Sequence, residues 1–334
     1  MLKMFGVGST DKSIEEGPDI AIVMAKILGT MVAFLVGLVV IQTPSSSPSS
    51  STTKRGQSSQ STFLPSAKKE PSKRAYELFN LTYSVVWILS FGAIVVFQLY
   101  ESFDEWAYLH VCGGLMLPYV LQPIVFPSAS YNSPDQNRPL LERYSFKANL
   151  WLLIYSFIGN YWYTHYFYSV LKAQYTMPAH RLNNVPIAMF LATHFYFSMY
   201  HGLSNAVLRK IVTTYQPGMK RNTLYVSVVF VFSYFTAFME TLTISSYPYY
   251  SFEDRNMAYT VGSAFYGIYF LVSFPGFFRF DTEIDQKKGR KVTVMDTVID
   301  ACGHGMMILC LLDFVRLYLG VPLVVGISPT ACSV

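Results

Sequence analysis

Charged side chains make up only 13% of this 334-residue chain, about half of the roughly 25% usual in soluble domains. With 52% hydrophobic residues beside so few charges, an ordinary water-soluble protein is excluded. Cysteine is scarce as well. Cys112, Cys302, Cys310 and Cys332 stand singly, with no C-x-x-C pair, so neither a disulfide framework nor a thiolate metal or redox motif is indicated. The H-x-x-x-H and H-x-x-H-H boxes, H-E-x-x-H, the Walker A loop and G-x-G-x-x-G are all missing. Di-iron, metalloprotease and nucleotide chemistry therefore lack support. No segments of about ten residues alternate apolar with polar, which argues against a transmembrane barrel. There is no internal repeat and no matched pair of Gly/Pro-broken helices of the kind inverted-repeat transporters carry.

Long apolar runs are what the chain does have. A helix rises 1.5 Å per residue, so about 20 apolar residues cross a hydrocarbon core of roughly 30 Å. One run covers residues 20–41, after a polar, slightly acidic start without the basic n-region of a secretory signal, and reads as a retained helix. Residues 43–72 are Ser, Thr, Pro, Gln and Lys, a composition that predicts a disordered linker. Seven further apolar segments follow, at 79–99, 107–126, 148–171, 185–206, 224–244, 258–278 and 294–319. The expected fold is all-α: a polytopic transmembrane bundle of seven core helices plus one N-terminal extra helix. The expected division is 1–42 for tail and extra helix, 43–72 for the linker, 73–320 for the membrane domain and 321–334 for a C-terminal tail.

Basic residues set the orientation. Of the 25 Lys and Arg, 18 fall in the linker with Lys73 and Arg74, and in residues 127–147, 207–223 and 279–293, whereas five fall on the alternate side. The linker is therefore expected in the cytosol, with both termini lumenal.

Ionisable groups at membrane depth need a partner or a task. Glu240 is the clearest case: Ser233, Thr236, Glu240, Thr243 and Tyr247 recur at spacings of three and four and share one helical face. Buried carboxyls also occur as hydrogen-bonded packing groups, which is the competing reading. A second stripe runs His194, Ser198, His201, Asn205, and a third region holds Asn160, Tyr161, Trp162, Tyr163, Thr164, His165, Tyr166 and Tyr168, denser than an interfacial aromatic belt requires. For a single histidine, interhelical hydrogen bonding competes evenly with catalysis. Three histidines beside a carboxyl favour a site. Asp313 and Arg316 stand one turn apart and read as a structural ion pair, while Asp300 and His304 at i, i+4 are ambiguous.

Several strings are familiar together. Lys147-Ala-Asn-Leu-Trp151, Gly159-Asn-Tyr-Trp-Tyr-Thr-His-Tyr-Phe167, Asn183-Asn-Val-Pro186, the run from Thr193-His194 to Asn205, Glu240-Thr, Tyr247-Pro-Tyr-Tyr250, Asp254-Arg255, Tyr266-Gly-Ile-Tyr-Phe-Leu-Val-Ser-Phe-Pro275 with Phe278-Arg279, and Leu312-Asp-Phe-Val-Arg-Leu-Tyr-Leu-Gly320 closely resemble the cycloeucalenol cycloisomerase family. The likeness spans residues 73–320 in one order. The first helix and the linker lie outside it, and His304 stands where the family carries a small residue.

The resemblance implies a multi-pass enzyme of the endoplasmic reticulum membrane that opens the 9β,19-cyclopropane ring of cycloeucalenol to give obtusifoliol. It implies no cofactor and no metal, a 4-methyl cyclopropyl sterol and membrane lipid as partners, and no nucleic acid. The reaction needs an acid to protonate the carbon that becomes the C19 methyl, stabilisation of positive charge near C9, and a base for the C8 proton. Glu240 is expected to donate, with His165 or His194 orienting the acid or taking the C8 proton. Asn160, Tyr161, Trp162, His201 and Tyr266 are expected to contact the sterol. A non-catalytic sterol binder or transporter on the same bundle is the alternative.

Overall fold

Seven apolar stretches separated by polar loops dictate seven long helices, because lipid leaves backbone groups no partner but the chain itself. A computed structural model of the chain describes residues 62–127, 133–244 and 247–323, with Gly29 and Ala33 as isolated helical positions before them. The expected extra helix and most of the linker lie outside the described residues. The first long helix is α1 (Pro71–Val96), which opens on a proline whose missing N–H costs nothing in the first turn. Next comes α2 (Glu105–Val125), capped by Asp104, which accepts from the Ala107 N–H at 2.7 Å. The third stretch is composite: α3 (Tyr144–Ile158), a π-helical turn over Gly159–Tyr163, and α4 (Thr164–Val170).

Two short strands, β1 (Gln174–Tyr175) and β2 (Arg181–Leu182), precede β3 (Val185–Pro186). β2 and β3 form an antiparallel hairpin. Its two-residue turn, Asn183-Asn184, holds φ of 49° and 62°, the left-handed pair that suits a type I′ turn and that asparagine tolerates. The chain then runs through α5 (Ile187–Thr214), α6 (Met219–Ile244) and β4 (Tyr250–Ser251), which pairs antiparallel with β1. The sixth stretch is composite like the third: α7 (Arg255–Met257), a second π turn over Ala258–Gly262, and α8 (Ser263–Arg279). Last is α9 (Val294–Leu319), held at its start by a capping box of Thr293 and Asp296 and closed by Gly320 at φ 65°.

Five of the stretches are long and apolar enough to cross a membrane by length and composition: α1, α2, α6, Arg255–Arg279 and α9. The other two, Tyr144–Val170 and α5, carry the dense polar runs. They and α8 occupy the middle: α5 touches α1, α2, α3, α6 and α8, α3 touches α1, α2, α5 and α9, and α8 touches α5, α6 and α9. The core follows from this arrangement. Trp151, Tyr155, Tyr163, Phe197, Phe265, Phe270, Phe274 and Phe277 pack into one aromatic interior. Meanwhile α1 turns Val85, Val86, Ile88, Leu89, Val95 and Val96 outward, as a lipid-facing helix does.

One end of the bundle is tied by buried charge. The Arg209 guanidinium grips both carboxylate oxygens of Glu77 at 2.7 Å, and Asn205 Nδ2 donates to Glu77 Oε1 at 2.9 Å. Lys147 pairs with Asp281 at 2.5 Å, and Arg138 joins Asp135 and Asp285. Segment 62–70, expected to belong to the linker, lies against this same end: Thr62 N–H donates to Thr213 Oγ1, and Arg209 Nη1 donates to the Phe63 carbonyl. These contacts bring the linker end and the three basic loops at 127–147, 207–223 and 279–293 together.

Candidate active site

Glu240 sits near the C-terminal end of α6, on the side packed against α8. Of the polar stripe expected to face inward, Ser233, Thr236 and Glu240 are buried, Thr243 is exposed, and Tyr247 lies beyond the helix end, bonded to the Tyr108 hydroxyl. Thr241 is buried instead. The Glu240 carboxyl stands within hydrogen-bonding reach of the Tyr200 hydroxyl from α5 and the Tyr266 hydroxyl from α8. Its Oε2 is buried without a partner. Among the described residues no Lys, Arg or His forms an ion pair with it. A carboxylate here would be an uncompensated buried charge, costing several kcal/mol, so the site accommodates the neutral acid.

A cavity of about 70 Å³ opens beside Glu240. Gly159, Asn160 and Thr164 reach it from the first π turn and α4, Thr193 and Phe197 from α5, Glu240 and Thr241 from α6, and Tyr266 and Tyr269 from α8. The β1–β4 pair closes one side with Tyr175 and Tyr250, whose rings stack at 4.4 Å. Pockets that enclose a drug-sized ligand run to about 300 to 1,000 Å³. A larger ligand therefore enters only if the walls part. Both π turns border this region, the first through Gly159 and Asn160 and the second through Gly262, where a Cβ would meet Leu171 Cδ1 of the cavity wall at 2.8 Å. Such turns replace i→i+4 bonds locally and recur at functional sites.

The structure brings Glu240, Asn160 and Tyr266 together on this one cavity. Asn160 is oriented by its own bonds: Nδ2 donates to the Ser156 carbonyl at 2.9 Å and to Thr193 Oγ1 at 2.7 Å. The other candidates lie elsewhere. Tyr161 packs on Phe157 and Trp162, and Trp162 is 44% exposed on the bundle surface. His165 is fully buried on the other side of α4, edge-on to Tyr168, with both ring nitrogens unpartnered. His194 points toward α2, edge-on to Tyr119 at 5.9 Å, also with neither nitrogen bonded. His201 is held at both nitrogens, Nδ1 by the Phe197 carbonyl and Nε2 by Ser273 Oγ, within a cage that includes Trp151 and Phe277.

Sequence reasoning missed Tyr200, Thr193, Phe197, Tyr175 and Tyr250. Tyr200 adjoins His201 inside the second polar stripe, and Tyr250 ends one of the quoted strings, so both had a signal. Tyr175 had none, because its pairing with a strand 75 positions later is invisible to local periodicity.

Comparison with known proteins matches this chain to cycloeucalenol cycloisomerase from Arabidopsis thaliana. The two are 40% identical over 276 residues, which covers 81% of this chain and 95% of that protein. The chain belongs to the cycloeucalenol cycloisomerase family. No family profile matches it, and no solved structure does. The strings by which the chain resembles that family converge on the cavity: Gly159, Asn160, Thr164, Phe167, Thr193, Glu240, Thr241, Tyr250 and Tyr266 all line it. They are drawn there from elements more than a hundred residues apart in the chain.

Proposed function

We propose that the chain is a sterol isomerase that opens the 9β,19-cyclopropane ring of cycloeucalenol to give obtusifoliol. The observation that carries the reading is a lone buried carboxyl, flanked by two tyrosine hydroxyls, on an aromatic-walled cavity in a member of this family. Glu240 delivers its proton to the carbon that becomes the C19 methyl. The C9–C19 bond supplies the electron pair, and positive charge develops at C9. Phe167, Phe197, Tyr266 and Tyr269 line the wall that faces this charge, and each ring correctly placed is worth about 0.5 to 2 kcal/mol. Tyr200 and Tyr266 stabilise the carboxylate that Glu240 becomes. Exclusion of water protects the cation from capture. Loss of the C8 proton then forms the C8–C9 double bond.

The test is incubation of the purified chain in detergent with cycloeucalenol, followed by chromatographic separation, since substrate and product have equal mass. Obtusifoliol is expected from the wild type. Glu240→Gln, which keeps volume and hydrogen bonding but has no proton to give, is expected to bind sterol without turnover. Binding with no product from the wild type overturns the isomerase in favour of a sterol binder or transporter. Near-normal turnover in folded Glu240→Gln removes Glu240 as the donor.

The enzyme is placed in the endoplasmic reticulum membrane, with the basic end of the bundle in the cytosol. The choice of membrane rests on the family resemblance, and the orientation is supported by the concentration of Lys and Arg on the loops joined at that end. Protease added outside sealed microsomes should cut between residues 43 and 61 while a tag before Met1 stays protected; the reverse pattern overturns the orientation.

A further inference from the structure

The proposed reaction needs a proton removed from C8 as well as one delivered to C19, and the histidines expected to remove it are not at the cavity. None of the chain's six histidines lines it. His165 stands edge-on to Tyr168 and His194 edge-on to Tyr119, and His201 has both nitrogens engaged. His304 bonds through Nδ1 to the Asp300 carbonyl. His110 and His180 sit against Trp106. Apart from tyrosine hydroxyls, the one acid or base among the residues lining the cavity is Glu240. A neutral phenol is a poor base. A carboxylate freshly made by proton donation is a competent one.

We infer that Glu240 performs both proton transfers, as acid to C19 and then as base to C8. This rests on the isomerase reading. C19 and C8 are both attached to C9, so one carboxyl seated over C9 faces both reacting positions. In the first step the carboxyl O–H breaks, the C9–C19 electron pair forms the new C19–H bond, and C9 is left cationic. In the second the C8–H bond breaks, its electron pair becomes the C8–C9 double bond, and the proton returns to the Glu240 carboxylate. Atoms and charge balance, and the enzyme ends each turnover in the protonation state in which it began. No second proton-transfer residue and no external oxidant or reductant enters.

The arrangement explains why the carboxyl is held by neutral donors and not by a cation. Tyr200 of α5 and Tyr266 of α8 adjoin it, and the other ionisable residues lining the same cavity are Tyr175, Tyr250 and Tyr269. All are phenols. An arginine or lysine there would fix Glu240 as the carboxylate and remove its ability to donate. Two hydroxyls stabilise the charge when it forms without demanding it beforehand.

The experiment is the pH profile of kcat/KM for cycloeucalenol with the full chain, together with the kcat of His165→Gln and His194→Gln. A single carboxyl that starts protonated predicts activity level toward acid pH and falling only on the alkaline side. A separate histidine base predicts a fall on the acid side as well, where the histidine becomes protonated. Each histidine variant is expected to keep kcat within about tenfold of wild type, because a removed general base costs about 10² to 10⁴. An acid-side fall in protein that remains folded, or a loss above about tenfold in a folded histidine variant, overturns the single-carboxyl mechanism. If a variant does not fold, the wild-type profile decides. Complete absence of obtusifoliol at every pH overturns the isomerase reading itself, and the single-carboxyl step with it.

Discussion

Tyr200→Phe and Tyr266→Phe remove one oxygen each from the surroundings of Glu240 while keeping both rings in place. Each hydroxyl lies within hydrogen-bonding reach of a carboxyl that is neutral before the reaction and charged once it has given up its proton. A hydrogen bond to a neutral buried group contributes about 1 kcal/mol, and one to a charged group about 1.5 to 3 kcal/mol. The increment appears as charge develops, so it acts on the chemical step and not on sterol binding. Loss of one hydroxyl should therefore remove an increment of about 0.5 to 2 kcal/mol and lower kcat by about 2- to 30-fold, taking tenfold for each 1.4 kcal/mol, with KM within about threefold of wild type. The double variant should lose less than the product of the two single losses, because both hydroxyls serve the same carboxyl. The assay is initial-rate product formation across a range of cycloeucalenol concentrations, with substrate and product resolved by chromatography. If both single variants are folded and stay within twofold of wild type in kcat, the hydroxyls do not stabilise a developing carboxylate and the role given to Glu240 fails.

Further outcomes follow from the same geometry. Glu77→Gln should lower stability by about 3 to 5 kcal/mol, because it leaves the buried Arg209 guanidinium without its anion, whereas Glu77→Leu with Arg209→Met should recover much of that loss; thermal unfolding in detergent reads both. Gly262→Val should push Leu171 toward the cavity and raise KM for the sterol with little change in secondary structure, checked by steady-state kinetics and circular dichroism. The Asp281 carboxyl is raised above its usual range chiefly by burial, with Lys147 pulling it back down. A raised folded value means the folded protein holds this proton more tightly than the unfolded chain, so this group's contribution to stability falls as pH rises through that range. Lys147→Met leaves the carboxylate unpaired, so its deficit in melting temperature against wild type should be larger at pH 8 than at pH 5. A deficit that is equal at the two values would show that Asp281 is not the group responsible.

The sequence alone determined the helices and singled out one buried carboxyl. Each of the seven apolar segments is helical in the structure, because hydropathy over about 20 residues reports a requirement that lipid imposes on any chain. Glu240 stood out for the same reason: a carboxyl inside such a segment needs a partner or a task. The neighbours of that acid were a different matter. His194, His201 and Asn205 share one face of α5 by spacing, yet they meet Tyr119 of α2, Ser273 of α8 and Glu77 of α1. A surface helix has one buried stripe, so periodicity says where a residue points. α5 is packed against five helices, so most directions from it lead to protein and spacing does not choose among them. The π turn at Gly159–Tyr163 broke the count a second time: it lies where α-helical spacing would be read through the polar run, with Asn160 on the cavity and Trp162 at the surface. Which polar residue faces the Glu240 carboxyl is fixed by how central helices are surrounded and where their turns widen, and those are properties of the packed bundle with no local trace in the chain.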